Sequence, residues 1–532
     1  MLGPHAGIGA SRMRLCCAAP DKNHKEIIYP RGYLTCSDFL IMYTAVMAKV
    51  VVLGAGISGH TAALFLRKHL KRGQHEVIVV SPNSNWNWIP SNIWVGVGLM
   101  QPTDVTFPLA PVYRRMGIRF HQARATAIEP EGNSAGDRPA VRIAFTDDEH
   151  SGQTERIEYD YLINATGPRL NFNATPGLGP EGHSLSVCTP GHAVHANEHF
   201  EQCVQRMRAG RHQTFVIGTG HGTCTCQGAA FEYTFNLEFE LRQRGVRDKA
   251  RIIWLSNEFT LGDFGMGGLH LKRGGYITHS RIFTESLYAE RGIEWILQAH
   301  VNRVEADVIH YEKLDGGSGE LHYDFAMLLP PFTGVPMQAF DRNGREITDR
   351  LFQPNHMMKV DADYSGKSFE NWKASDWPSV YQNPDYKNIF AVGIAFAPPH
   401  PVSKPMKSVK GVPISPTPPR TGMPSAMMGK AVALNIVDMI KGRAQSPKRT
   451  ASMARMGAAC VASAGNSLIR GTAAAMTVYP IIPDYERYPL YGRDTDLTFG
   501  EIGLAAHWIK RILHSMFIYK AKARPGWSLI PE

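Results

Sequence analysis

The six residues Gly54-Ala55-Gly56-Ile57-Ser58-Gly59 constrain this chain more than any other stretch. They follow the apolar run Ala48 to Leu53 and precede a segment with an apolar face at Leu64, Phe65 and Leu70. That segment leads into Glu76-Val77-Ile78-Val79-Val80. Strand, glycine turn, helix and strand form the setting in which G-x-G-x-x-G holds a dinucleotide. Gly54 allows the tight turn, Gly56 lets the backbone approach a pyrophosphate, and Gly59 lets helix and strand pack closely. The helix N-terminus favours the diphosphate charge. The acidic ribose partner expected about twenty residues further on is absent. Ser81 or Asn83, at the end of the second strand, offers a weaker hydrogen bond in its place.

The same pattern recurs once: a strand Thr214 to Gly218, a helix through Glu232 to Arg244, and a strand Arg251 to Leu255. Its turn, Gly218-Thr219-Gly220-His221-Gly222-Thr223, has Thr223 at the third glycine position, which weakens it as a nicotinamide nucleotide site. Two such units predict an α/β fold of two Rossmann-like dinucleotide-binding domains, one inserted in the other. The expected division is an N-terminal extension 1–46, the first domain in two parts, 47–170 and 331–440, the second domain 171–330, and a C-terminal module 441–532. The extension has no clear period and reads as disordered or as an over-called start before Met47. The loop 398–424 carries nine prolines.

Composition fits a globular chain: 43% hydrophobic and 20% charged residues exclude a wholly disordered or fibrous protein. No apolar run approaches the roughly twenty residues of a spanning helix. Of the net charge of +10, +7 falls in 441–532, where 13 Lys/Arg stand against 6 Asp/Glu. Phe499 to Lys522 has a helical period, with Trp508, Ile509, Ile512, Leu513, Met516 and Phe517 on one face beside Lys510, Arg511, Lys520, Lys522 and Arg524. A basic amphipathic helix of this kind suits a membrane interface, and an intramolecular docking helix is the other reading. No nucleic-acid module is present. Eight cysteines do not make a disulfide scaffold, Cys224-x-Cys226 lacks zinc spacing, and Cys226 reads as structural. The 22 histidines include no convincing metal cluster, so no metal site is expected.

Beyond the glycine turns, Asn164-Ala165-Thr166-Gly167-Pro168 matches the crossover of two-dinucleotide-domain flavoproteins. Together with Pro90 to Gly98, Ser186-Val187-Cys188-Thr189, Gly228 to Tyr233, Tyr381 to Gly393 and Pro418 to Met423, the chain resembles the sulfide:quinone oxidoreductases from about 48 to 520. The flavoprotein subunit of flavocytochrome c sulfide dehydrogenase shares part of the pattern. The resemblance implies bound FAD and two-electron transfer from sulfide, or a related sulfur compound, to a membrane quinone. It makes Cys188 a redox cysteine, and it places Gly54, Gly56, Gly59, Ser81, Thr166, Gly167 and Gly393 around the flavin nucleotide. Arg420 stands where a lysine is common beside the flavin, which implies a catalytic role in placing positive charge by the flavin N1–C2=O edge; a loop Arg in solvent is the other reading. Gly393-Ile394-Ala395 replaces the Gly-Asp of other flavoproteins, as is usual in this family. Val380 stands where the second redox cysteine is expected, just before the Gln-Asn-Pro segment. The resemblance also implies peripheral attachment to the cytoplasmic (inner) membrane through 499–522, on a face that is not specified, and is compatible with a homo-oligomer. The alternatives are an NADH:quinone oxidoreductase-like flavoprotein, with Glu258 as the acid of the second unit, or a catalytically impaired FAD-binding partner subunit.

Overall fold

Valine and isoleucine on both faces mark a strand covered on both sides, and the first strands of this chain are of that kind. The computed structural model describes residues 47–134, 138–225, 227–420, 422–465 and 469–532; the expectations for 1–46 and for Cys226 lie outside them. Strand β1 (Lys49–Leu53), helix α1 (Ile57–His69) and strand β2 (Glu76–Ser81) follow one another. The two strands pair in parallel, Val50 opposite Val77 and Leu53 opposite Val80. Strands β3 (Arg119–Glu129), β4 (Ala140–Phe145), β5 (Thr154–Glu158) and β6 (Tyr161–Asn164) come next. β3 joins β2 in parallel, and β4 and β5 extend it as an antiparallel meander. β6 lies on the other side of β1.

The chain then leaves this sheet. After helix α2 (Pro190–Arg208) come β7 (Gln213–Thr219), helix α3 (Gln227–Gln243), β8 (Ala250–Leu255), β9 (Ile293–Ile296) and β10 (Phe325–Leu329). These strands make a second, wholly parallel sheet in the order β9-β8-β7-β10. The chain returns to the first sheet at β11 (Ile389–Ala391), which pairs with β6, and then enters helix α4 (Gly422–Ile440), packed along α1. The first sheet thus closes only after the second has been built.

The C-terminal region differs from the helix expected at Phe499 to Lys522. It is an antiparallel sheet of β12 (Ala458–Ala464), β13 (Thr472–Val478) and β14 (Gly500–Gly503), followed by helix α5 (Leu504–Ala521). Glycine is a poor helix former, and Gly500 to Gly503 instead pairs with β13, Met476 opposite Gly500 and Ala473 opposite Gly503. Gly503, at φ 145°, turns the chain from strand into helix. The basic residues of α5 are also not all on its outer face. Lys510 Nζ donates to the buried Glu232 carboxylate at 3.0 Å, and Lys520 Nζ donates to Ile530 O at 2.7 Å and pairs with Glu532. Trp508, Ile509 and Ile512 remain exposed, at 44%, 50% and 55%. Phe517 stacks on Trp88 at 4.9 Å. Among the described residues no helix is long and apolar enough to cross a membrane.

Candidate functional site

The first glycine turn is tight where it meets protein and open where it faces outward. Gly54 (φ 97°) donates to Val80 O at 2.7 Å, and a Cβ on it would lie 2.2 Å from Ala165 O. A Cβ on Gly59 would lie 2.0 Å from Gly54 O. A Cβ on Gly56 would meet nothing within 4 Å. Gly56 is also the N-cap of α1, no side chain caps the helix, and no acidic residue occupies its first turn. Uncapped amides and the helix dipole beside open space form a cradle for an anion. The residues present therefore fit the diphosphate of FAD.

Around this turn the crossover is fixed locally. Asn164 Oδ1 accepts from Thr166 N at 3.2 Å and from Thr166 Oγ1 at 2.8 Å, and Gly167 (φ 72°) has open space on its Cβ side. Gly393 (φ 68°) lies against the first turn of α1, where a Cβ would come within 2.2 Å of Ser58 Oγ. Arg420 is buried rather than lying in solvent. Its guanidinium donates to Ile394 O at 3.2 Å and to Phe396 O, and lies over the Phe396 ring. Its charge is thus tied to the turn that begins at Gly393. Ser81 is buried at the end of β2, and its hydroxyl accepts from Asn83 N at 3.4 Å.

Cys188 is half-buried, on a segment that reaches β10 through a bridge between Leu185 and Met327. Its amide donates to Ser186 Oγ at 3.1 Å. The preceding carbonyl, Val187 O, accepts from Asn92 Nδ2 at 3.3 Å, and the next residue, Thr189, caps α2 by accepting from His192 N. The main chain around Cys188 is thereby held between a buried Asn and a capped helix start. Val380 lies on another loop: its amide and that of Ser379 donate to Asp361 Oδ2, each at 2.9 Å, and Tyr381 is buried beside it.

The second glycine turn is filled by the chain itself. A Cβ on Gly222 would lie 2.2 Å from Pro413 O, in the proline-rich loop. Ser415 N donates to Gly222 O at 2.7 Å, Thr417 N donates to Cys224 O at 3.1 Å, and Gly222 N donates to His300 Nδ1 at 2.9 Å. Asn257 Nδ2 donates to Gly222 O and Cys224 O, and its Oδ1 accepts from Gln227. Burial holds His221 down at about 4, so it stays neutral against the His300 ring, 4.6 Å away. Glu258 is not aimed at a ribose. It is buried, with Oε1 accepting from Phe264 N at 2.9 Å and Oε2 from Ser256 Oγ at 2.8 Å, and burial pushes it up to about 7.

One residue beside the site was invisible to motif reading. His60, directly after Gly59, is buried between Tyr113 Oη (2.9 Å) and Ala521 O (2.7 Å). A neutral ring satisfies both when Nε2–H donates to the carbonyl and Nδ1 accepts from the phenol. Burial lowers its pKa to about 4. The only cue in the sequence is a polar residue where a core-facing helix position is expected.

Known proteins share this architecture. Residues 48–235 match the family model of the pyridine nucleotide-disulphide oxidoreductases. The sulfide-quinone reductase of Aquifex aeolicus is 31% identical over 478 residues, 90% of this chain and 92% of that protein. The X-ray structure of the sulfide:quinone oxidoreductase of the same bacterium superposes with a TM-score of 0.68 at 29% identity, covering 90% of this chain and 92% of that one. An external alternative NAD(P)H-ubiquinone oxidoreductase of Solanum tuberosum matches at 29% over 140 residues only, 26% of this chain and 23% of that protein.

Proposed function

We propose a division of labour for this chain, which belongs to the sulfide:quinone oxidoreductase family. The chain is an FAD-dependent oxidoreductase that passes electrons from sulfide to quinone. In the net reaction, hydrogen sulfide and quinone give zero-valent sulfur and quinol, with two electrons and two protons conserved. The observation that supports this reading over an NADH-driven one is the contrast between the turns. Gly56 is open above an uncapped helix start, whereas the second turn is occupied by Pro413 to Thr417.

Bound at the first turn, a flavin supplies a two-electron acceptor. The chain's own residues do the rest. The α1 amides and Gly56 hold the diphosphate, and Thr166, Gly167 and Gly393 let the crossover and the return strand come close to it. Ser81 serves the ribose. Arg420 is a positioning residue that holds the Gly393 turn. Cys188 is the thiol that would carry the sulfur of sulfide as a persulfide, with the two electrons and two protons lost when the S–S bond forms passing to the bound flavin. The test is anaerobic mixing with sulfide or with NADH. Sulfide is expected to bleach the flavin and NADH to leave it oxidised. Cys188→Ser should keep bound FAD and lose bleaching by sulfide; bleaching at the parent rate would remove Cys188 from the chemistry.

The surface on which the enzyme meets its quinone is, in this reading, the exposed stripe Trp508, Ile509 and Ile512 of α5. Because Lys510 and Lys520 face inward, apolar burial contributes more than charge, about 1.5–3 kcal/mol for each fully inserted aliphatic side chain. Ile509→Ser with Ile512→Ser should release the protein from anionic vesicles in a flotation assay while FAD stays bound. Unchanged flotation would place the docking surface elsewhere.

A further inference from the structure

Helix α2 carries three histidines, His192, His195 and His199, in its first three turns. Residues four apart lie one above the other on a helix face. His195 and His199 meet in this way: their rings stand edge to face with centroids 4.7 Å apart, and their Nε2 atoms are 3.2 Å apart. Both are only half-buried, so ions in solvent reach them. His192 is turned aside, with Nδ1 on Ser186 Oγ at 3.3 Å and its ring edge-on to Phe172.

The separation is informative. Two imidazole nitrogens bound at 2.0–2.1 Å to one tetrahedral ion lie about 3.3 Å apart. The pair thus matches the spacing of two ligands on one metal without any movement of the helix. It is equally compatible with a direct hydrogen bond in which one Nε2–H donates to the other, and titration with metal separates the two. Burial, and after it the neighbouring His195, lowers the pKa of His199, which favours the neutral ring that ligates metals.

We propose that His195 and His199 form a two-imidazole site for a divalent transition-metal ion of the zinc class, with water in the remaining positions. Among the described residues no group of three or more His, Cys, Asp or Glu is placed to hold a metal. The site is therefore an exchangeable chelate rather than a closed structural centre. The spacing His195-x-x-x-His199 is legible in the sequence but does not by itself mark a metal site; the register of α2 brings the two rings together. A bound ion bridges successive turns of the helix whose N-cap, Thr189, follows Cys188 directly. It thus clamps the element that fixes the thiol loop.

The experiment uses the FAD-loaded protein, freed of metal with a chelator and titrated with zinc chloride against a chromogenic zinc indicator. Thermal midpoints are read in parallel, and cobalt chloride serves as a spectroscopic substitute. The parent should bind one equivalent that His195→Ala and His199→Ala each lose, along with the zinc-dependent rise in midpoint. His192→Ala should retain both. FAD content reports that each variant is folded, and metal-free reduction by sulfide should be unchanged in His199→Ala. If the parent binds no more zinc than His195→Ala and His199→Ala, the pair is a hydrogen bond and the proposal falls. Loss of the equivalent in His192→Ala as well would also overturn it.

Discussion

The two glycine turns of this molecule begin from nearly the same sequence and end in opposite states. At Gly54 to Gly59 the glycines face Ala165, Gly54 and open space. At Gly218 to Gly222 they face Leu255 O, Leu178 and Pro413 O, and the turn's peptide groups are bonded to Ser415, His300 and Asn257. A glycine removes steric bulk, but it does not decide what enters the space. At one turn a ligand is left to complete the polar groups, and at the other a distant loop already does so.

The largest expected effect sharpens the first half of that contrast. Gly54→Val needs a left-handed φ and places a Cβ 2.2 Å from a backbone carbonyl, so the fold itself should fail or lose several kcal/mol. Gly56→Leu has room in the protein and should unfold at nearly the denaturant midpoint of the FAD-free parent, yet purify without its flavin absorbance. Full flavin content in Gly56→Leu would show that the diphosphate does not lie there.

A smaller effect is expected at the second turn. Gly222→Ala must push Pro413 away, at a cost of about 1–3 kcal/mol. FAD content should be retained, and NADH should still fail to bleach the flavin, because His300, Asn257 and Gln227 remain. Saturable NADH binding by the unaltered protein, followed by calorimetry, would break the contrast.

The most gradual effect, spread over a pH window, concerns Glu258, the acid available for a nicotinamide ribose. Its carboxyl holds a proton more tightly in the folded chain, at about 7 against an ordinary 4.5. Between those values the folded state binds more protons than the unfolded one. Its contribution is therefore full below pH 4.5 and lost as pH rises through 7, on the order of 3 kcal/mol across the window. His60, held at about 4, acts in the opposite sense, since stability falls as pH drops below 6.5. The difference between parent and Glu258→Gln isolates the first effect: the variant should lack the loss that the parent shows as pH rises through about 7 in denaturant melts. Parallel pH curves would mean that folding does not raise the pKa of Glu258.

These cases show what was legible in the sequence. The βαβ order, the first turn, the crossover at Thr166 and the absence of a spanning run depend on neighbours within about thirty residues, and pattern captures such local constraints. The closing of the second turn depends on Pro413 to Thr417, far along the chain, and no local signal carries it. Helix period found the apolar stripe at Trp508, Ile509 and Ile512. It missed that Gly500 to Gly503 is a strand, and that Lys510 and Lys520 have buried partners in Glu232 and Glu532. The resemblance puts Arg420 beside the flavin, but it carries no sign that the guanidinium is held by the carbonyls of Ile394 and Phe396, which packing against Phe396 decides.

The bond from His60 to Ala521 O joins the helix that carries the first glycine turn to the end of α5. Events at the two ends of that bond therefore share free energy, and linkage makes the sharing reciprocal. If filling the cradle at Gly56 steadies α1 and its bond to Ala521, linkage requires that loosening that bond weakens retention of the nucleotide by the same factor. A chain without its cofactor is accordingly expected to be cut by proteases at its C-terminal end sooner than the FAD-loaded chain.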